Sequence, residues 1–319
     1  MRQFDQPIKS SIDANMTGKP LRVAAIGECM VELSQTDGNC HLSFGGDSLN
    51  TAVYMARSGT AVDYITVLGD DPYSDTMLQT WSDEGVGTRL IRREAGRLPG
   101  LYAINTDARG ERSFYYWRDN SPARELLTGK HKKQLETSLL EFDVLYFSGI
   151  SLSILDEAQR ESLFDILGKA RQRNITIAFD PNYRPVGWSS PETAKQWIYR
   201  AYGLCTLALP TLDDEQLLDP DISAEQLAKN LLALDIPEIV IKMGASGCLV
   251  KTAQTEQIIP VPAAVTPVDT TAAGDSFNAA YLSARLRGKN VREAAITAHR
   301  LAAVVIQHRG AIVPESAMP

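Results

Sequence analysis

The residues best equipped for chemistry lie at 269–276, DTTAAGDS. Three small residues, Ala272, Ala273 and Gly274, precede Asp275, and the following SFNAAYLSARLRG has the alanines, leucines and aromatics of a buried helix. Small side chains at a helix entrance let a ligand come close to the backbone. The first N–H groups of a helix have no internal partner, and the macrodipole gives that end partial positive charge. Together these make a seat for a phosphate. Asp275 falls at the same end, where that field is expected to keep its carboxylate ionised and ready to take a proton from an attacking hydroxyl. An anion seat beside a carboxylate is the minimum equipment for phosphorylating an alcohol. The plainer reading is that Asp275 only caps the helix, since Asp is a favoured N-cap.

A second constellation lies far upstream, in FGGDSLNTAVYMARSG (44–59). Gly45 and Gly46 make a flexible turn, Asp47 and Asn50 stand at the entrance of a helix, and Ala52, Val53, Met55 and Ala56 form its apolar face. Carboxylate and amide side chains offer acceptors and donors to sugar hydroxyls, and a glycine lets a ring lie against the backbone. An ordinary turn with a capped helix would carry the same residues.

The elements that must hold these two stretches follow from pattern. RVAAI (22–26) reads as a buried first strand, with no GxGxxG after it and no Walker A sequence in the chain. Residues 29–44 read as short strands turning around Asp37-Gly38, VDYITVLG (62–69) as a strand, and YSDTMLQTWSDEGV as a helix ending near Gly85. LYAINT and ERSFYYWR, separated by DARG, predict a hairpin unusually rich in rings for a chain with 7% aromatics. Such a hairpin reads as a lid over a pocket, also able to pack against a second subunit, and the plainer reading is simple packing against the main sheet. From about residue 139 strands alternate with helices: DVLYFSG, ITIAFDPNYR, CTLALPT and EIVIKMGASG between DEAQRESLFDILGKARQRN, PETAKQWIYRAYG and SAEQLAKNLLALD, with VREAAITAHRLAAVVIQHRG as a closing helix. This rhythm predicts parallel βαβ units, an α/β fold whose ligands bind beyond the C-terminal strand ends. Polar clusters fall at those ends: Ser148-Gly149, Asp180 to Arg184, Thr211 to Glu215 and Lys242 to Gly247.

Composition narrows the function. The chain has 319 residues, 44% hydrophobic and 22% charged, ordinary for a soluble globular protein. A net charge of −7 argues against a nucleic-acid partner. No apolar run reaches membrane-spanning length, and residues 1–20 lack the hydrophobic centre of an export signal, so a cytoplasmic protein with a polar extension is expected. The four cysteines form no CxxC pair, and with four scattered histidines they offer no zinc spacing.

Asp269, Thr270, Ala272, Ala273, Gly274, Asp275, Ala279, Ala280, Tyr281 and Leu282 resemble, position by position, the C-terminal signature of the PfkB (ribokinase-like) carbohydrate kinases. Gly45-Gly46 with Asn50 resembles that family's N-terminal signature, and the likeness runs from about 21 to 319. It implies a three-layer α/β/α sandwich with a mostly parallel central sheet and a small β-strand lid, within roughly 29–44 and 98–120. GECMVELS, FGGDSLNTAVY, RLPGLYAINTDARGERSFYYWR, YFSGISLSIL, FDPNYRP, DTTAAGDSF and RGAIVPESAMP resemble the branch acting on 2-keto-3-deoxygluconate. The activity so implied is ATP-dependent phosphorylation of that sugar acid at its terminal C6 hydroxyl, giving 2-keto-3-deoxy-6-phosphogluconate.

The resemblance also assigns roles. Asp275 is the general base, with the Ala272, Ala273 and Gly274 amides on the transferring phosphate. Gly45, Gly46, Asp47, Asn50, Tyr102, Tyr116, Arg118, Arg184 and Asp275 hold the sugar. Asn182, Arg184, Lys242, Gly244, Ser246, Gly247 and His299 join the small-residue seat around the nucleotide. Arg118 also fits an acid substrate on chemistry alone, because an arginine fork pairs a carboxylate better than a hydroxyl. Against these stand plainer readings: Tyr102 and Tyr116 as lid core, Arg118 as a salt bridge, Arg184 as a bridge to carboxylates of its loop, and His299 as a core histidine.

Two departures from the family pattern carry expectations. Its common GAGD reads Ala272-Ala273-Gly274-Asp275 here, and the seat is expected to survive provided φ at the alanine is negative. Its Asn-x-x-Glu element is replaced by Thr211-Leu212-Asp213-Asp214 with Glu215 adjacent, so no metal ligand is assigned. Mg2+ is implied on the phosphates, a monovalent-cation (K+) site stays open, and self-association through the lid is expected. The alternatives are a kinase of a neutral sugar, fructokinase- or ribokinase-like, and a non-catalytic sugar or nucleotide sensor.

Overall fold

The computed structural model describes residues 20–36, 39–106 and 112–319. The N-terminal extension and the two turn segments, Asp37-Gly38 and DARG, lie outside the described residues.

The strands, in chain order, are β1 (Arg22–Ile26), β2 (Met30–Thr36), β3 (Asn39–Gly45), β4 (Ala61–Ile65), β5 (Val67–Gly69), β6 (Arg92–Glu94), β7 (Leu101–Thr106), β8 (Arg112–Trp117), β9 (Val144–Ser148), β10 (Thr176–Asp180), β11 (Leu207–Ala208), β12 (Glu238–Lys242), β13 (Cys248–Thr252) and β14 (Glu256–Ile259). The helices are α1 (Asp47–Arg57), α2 (Pro72–Asp83), α3 (His131–Leu139), α4 (Gly149–Ile154), α5 (Glu157–Gln172), α6 (Pro191–Leu204), α7 (Leu212–Leu218), α8 (Ala224–Leu232), α9 (Ala273–Leu286) and α10 (Val291–Val305).

The main sheet has eight strands in the order β14-β13-β12-β11-β10-β9-β1-β4. Every pairing from β4 to β12 is parallel, as the alternation of strands and helices requires. β13 and β14 extend the edge antiparallel. Pattern reading gave EIVIKMGASG as one strand entering a turn and missed this added hairpin. It also took VDYITVLG as one strand, whereas the chain breaks at Thr66 and sends β5 into a separate pair with β6.

Because side chains alternate along a strand, each central strand feeds two cores. Val23 and Ala25 of β1 pack with α1, α2, α9 and α10, while Ala24 and Ile26 face the layer of α5 and α6. The result is three layers, α/β/α, with the main sheet in the middle.

α9 is fastened at its far end. Arg285 and Tyr281 both bond the buried Glu238 at the start of β12, the hydroxyl at 2.8 Å and Arg285 Nη2 at 2.8 Å. Removing one partner of so buried a pair costs about 3–5 kcal/mol, so this joint fixes the helix against the sheet.

A second sheet, β3-β2-β7-β8, forms the lid. Its register puts Ser43, Glu32, Tyr102 and Tyr116 on one rung, and Phe44, Val31, Leu101 and Trp117 on the next. Period-two alternation therefore gives the lid one polar, tyrosine-bearing face and one apolar face.

Candidate active site

The polar groups gather beyond the C-terminal ends of β1, β9, β10 and β12, where α1 and α9 present their N-termini. Longer helices such as α5, α6, α8 and α10 begin with a capping Asp, Ser or Asn. α1 and α9 have no side-chain cap. At α9 the Ala273 N–H is turned onto the Thr270 carbonyl at 3.2 Å, so one of the three expected seat amides has a partner. The Gly274 and Asp275 N–H groups have none among the described residues and point out of the helix end.

Ala272 sits just before α9 with φ of 58°, in the left-handed region. The proviso of a negative φ is therefore not met, yet the Gly274 and Asp275 amides stay without partners among the described residues. The turn from Thr271 into α9 needs the conformation for which glycine is the usual residue, and an alanine there carries about 1–2 kcal/mol of strain.

Asp275 is the third residue of α9, 9% exposed, and it is not a cap. Its Oδ2 accepts a hydrogen bond from Asn50 Nδ2 at 2.9 Å, joining two stretches that lie 225 residues apart. Thr51 reaches the Asp275 carbonyl at 3.3 Å. The helix field was expected to keep this carboxylate ionised, and other forces outweigh it. Burial pushes its pKa up to about 7, and the nearby Asp47 charge adds to the rise, against the Asn50 hydrogen bond that lowers it.

Asp47 is itself buried and raised by desolvation, with Asn182 Nδ2 donating to its Oδ2 at 2.8 Å. Its Oδ1 and Asn50 Oδ1 are buried acceptors without a hydrogen-bond donor among the described residues. Two such acceptors three residues apart on α1 share a helix face. They match a ligand rich in hydroxyl donors. Gly46 is explained differently from the expectation: a Cβ there would meet the Glu28 carbonyl, and one on Gly45 would meet the Tyr102 hydroxyl. The two glycines admit the chain's own atoms.

Beneath these groups, Asp180, Lys242 and Asn278 bond one another in a closed ring. Lys242 Nζ lies 2.8 Å from Asp180 Oδ2 and 3.0 Å from Asn278 Oδ1, and Asn278 Nδ2 donates to Asp180 Oδ2 at 2.6 Å. Asp180 Oδ1 also accepts the backbone N–H of Asn182, whose φ of 35° turns the chain sharply after β10. Tyr146, at the middle of β9, lies within 3.2 Å of both Asn278 Nδ2 and Thr51 Oγ1, linking this ring to α1.

The lid brings its polar face to the same place. Tyr102 donates to Glu32, which also accepts from Ser43 at 2.8 Å. Burial raises the Tyr116 pKa, and Arg118 and Arg184 are near enough to oppose that rise. Arg118 is paired with Glu28 just after β1, a carboxylate with a fully buried side chain, so it is an internal ion pair rather than a surface one. Glu28 Oε1 and Arg118 Nε remain without partners among the described residues. Arg184 bridges to Asp214 at 2.8 Å, outside its own loop.

His299 on α10 is buried edge-on against Phe277 with Nε2 3.2 Å from the Ile259 carbonyl, the core-histidine reading. Burial lowers its pKa, which favours the neutral ring. Glu215 turns into the core, where Tyr202 donates to it at 2.6 Å and desolvation raises its pKa to about 7. Gly244 and Gly247 flank an exposed turn after β12, both at positive φ, with Ser246 between them. Sequence reasoning missed Glu28, Glu32, Thr51, Tyr146 and Asn278. Asn278 offered a signal, a buried-helix amide one turn beyond Asp275, between Phe277 and Ala279.

Comparison with known proteins identifies the family. Residues 21–318 match the family described as pfkB family carbohydrate kinase. The 2-dehydro-3-deoxygluconokinase of Dickeya dadantii is 46% identical over 306 residues, covering 93% of this chain and 98% of that one. The enzyme of the same name from Escherichia coli K12 is 44% identical over 307 residues, covering 93% and 99%. A Vibrio cholerae fructokinase, solved with fructose, ADP and calcium ion bound, superposes with a TM-score of 0.79 at 26% identity, covering 92% of this chain and 94% of that one. With two uncapped helix ends meeting at Asp275 and a family match across nearly the whole length, the chain belongs to the pfkB family of carbohydrate kinases.

Proposed function

We propose that this kinase transfers the terminal phosphoryl group of ATP to the C6 hydroxyl of 2-keto-3-deoxy-D-gluconate, giving 2-keto-3-deoxy-6-phosphogluconate. The observation that carries the reading is the Asn50–Asp275 hydrogen bond of 2.9 Å, made beside the partnerless Gly274 and Asp275 amides. It supports the reading because a carboxylate, an amide side chain and open helix amides lie together there, the groups a phosphorylated hydroxyl would need. The two relatives' name supplies the substrate, and Arg118 supplies a chemical reason for an acid.

Asp275 takes the C6 hydroxyl proton as the oxygen attacks phosphorus, and Asn50 holds the carboxylate in line. Asp47 and Asn50 meet the sugar from below, on the turn that Gly45 and Gly46 allow. Tyr102, Tyr116 and Arg118 meet it from the lid, and Arg184 from the β10 loop. Asn182, Lys242 and the Gly244–Ser246–Gly247 turn flank the nucleotide. The free first-turn amides of α9 and the Lys242 ammonium stabilise charge on the moving phosphoryl group.

Mg2+ carried on the nucleotide would neutralise phosphate charge. Its preference for hard oxygen is met by the phosphates it travels with, and no protein ligand is assigned to it: among the described residues no group of three or more His, Cys, Asp or Glu side chains could hold a metal by itself. The enzyme works in the cytoplasm and self-associates through the lid's apolar face.

A coupled ADP-release assay comparing 2-keto-3-deoxygluconate with fructose and ribose tests the proposal. The acid is expected to give the highest kcat/KM. A higher value for either neutral sugar would refute the acid-sugar reading and favour a fructokinase- or ribokinase-like enzyme.

A further inference from the structure

We infer that Asp180 is a positioning residue for phosphoryl transfer: with Asn278 it clamps the Lys242 ammonium beneath the first turn of α9, leaving one N–H for a phosphate oxygen. The inference rests on the kinase reading above and adds a residue to it.

A lysine ammonium is a compact point charge with three donors on a flexible four-carbon stem. Left to itself at the end of β12, such a chain would sample many rotamers and lie in water. Here it is 8% exposed, and two donors are fixed, to Asp180 Oδ2 at 2.8 Å and Asn278 Oδ1 at 3.0 Å. No third acceptor occurs among the described residues. The ammonium lies under the seat itself, since a Cβ built on Gly274 would stand 3.5 Å from Nζ.

The clamp is rigid at each corner. Asp180 ends a central strand, is 3% exposed, and its other oxygen accepts the Asn182 N–H at 3.1 Å. Asn278 is four residues beyond Gly274 on α9, so the helix that offers its free amides also carries the amide side chain that aims the ammonium. Backbone dipoles and cation then approach the same phosphoryl oxygens from one side, fixed before the reaction starts. Preorganised charge of this kind acts in the transition state more than in ground-state binding.

The test is a double-mutant cycle read in kcat. Lys242→Met is expected to lower kcat by about 10²–10³-fold, the scale for losing one preorganised donor. Asp180→Asn keeps the shape but frees the ammonium, and should lower kcat about tenfold or more with KM for the sugar within threefold. The double variant should be no slower than Lys242→Met alone. Asp180→Asn should also bind ADP as the parent does, while losing at least tenfold in affinity for ADP with aluminium fluoride. If Asp180→Asn does not fold, Asn278→Ala carries the same cycle, its effect vanishing in the Lys242→Met background. Losses that multiply in the double variant would make Asp180 merely structural and overturn the inference. So would an unchanged kcat in Asp180→Asn beside a slow Lys242→Met. An unchanged kcat in Lys242→Met itself would instead remove the lysine from the proposed anion seat.

Discussion

The balance of forces on one carboxyl group sets how this site depends on pH. Burial, then Asp47, raises the Asp275 pKa to about 7, and a general base acts only when deprotonated. On the free enzyme, kcat/KM should therefore fall below about pH 7, far above the range of an ordinary carboxylate near 3.9. Asp47→Asn removes the neighbouring charge, so the acid limb should move to lower pH. A limb that stays in place, read from a pH–rate profile, would detach Asp47 from the base. Ala272 gives a second prediction. Glycine adopts a φ of 58° without penalty, so Ala272→Gly should stabilise the fold by about 1 kcal/mol in urea denaturation. Destabilisation would contradict the left-handed turn.

Among the elements, α9 and the lid carry the site, and each has a joint that can be broken. Arg285→Met leaves Glu238 buried without its cation and should cost about 3–5 kcal/mol in unfolding free energy. A loss under about 1 kcal/mol would mean the joint is solvated. Arg118→Met should penalise the sugar acid more than a neutral analogue by about 2–4 kcal/mol, since the loss of a desolvated charge pair falls on the acid alone. Equal penalties would show that Arg118 serves only Glu28. These elements differed in how plainly the sequence announced them. Periodicity marked α9, the parallel strands and the two glycine–polar stretches, because burial on both faces of a strand and an apolar helix leave strong local patterns. The pairings of Arg118 and Lys242 left none: Glu28 and Asp180 are 90 and 62 residues away, brought in by the sheet order. The angle at Ala272 was hidden for a similar reason, since it is set by the turn it must complete rather than by the residue's own preference.

At the scale of the whole molecule, the lid's outer face is unfinished. Leu42, Leu98, Tyr115 and Trp117 are 48–63% exposed, and Leu42, Leu98 and Trp117 line an open groove of about 1140 Å3. A second copy of the chain would cover them, so sedimentation should report an oligomer, and Trp117→Glu should shift it toward the monomer. A parent protein that sediments as a monomer would refute self-association. All scales meet in the claim that Asp275 takes the proton of the attacked hydroxyl beside an anion seat of free amides. Asp275→Asn tests it most directly, because the amide keeps the shape and removes the base. Turnover is expected to fall at least about 100-fold while sugar and nucleotide still bind, as calorimetry would show. Turnover equal to the parent's would contradict the account.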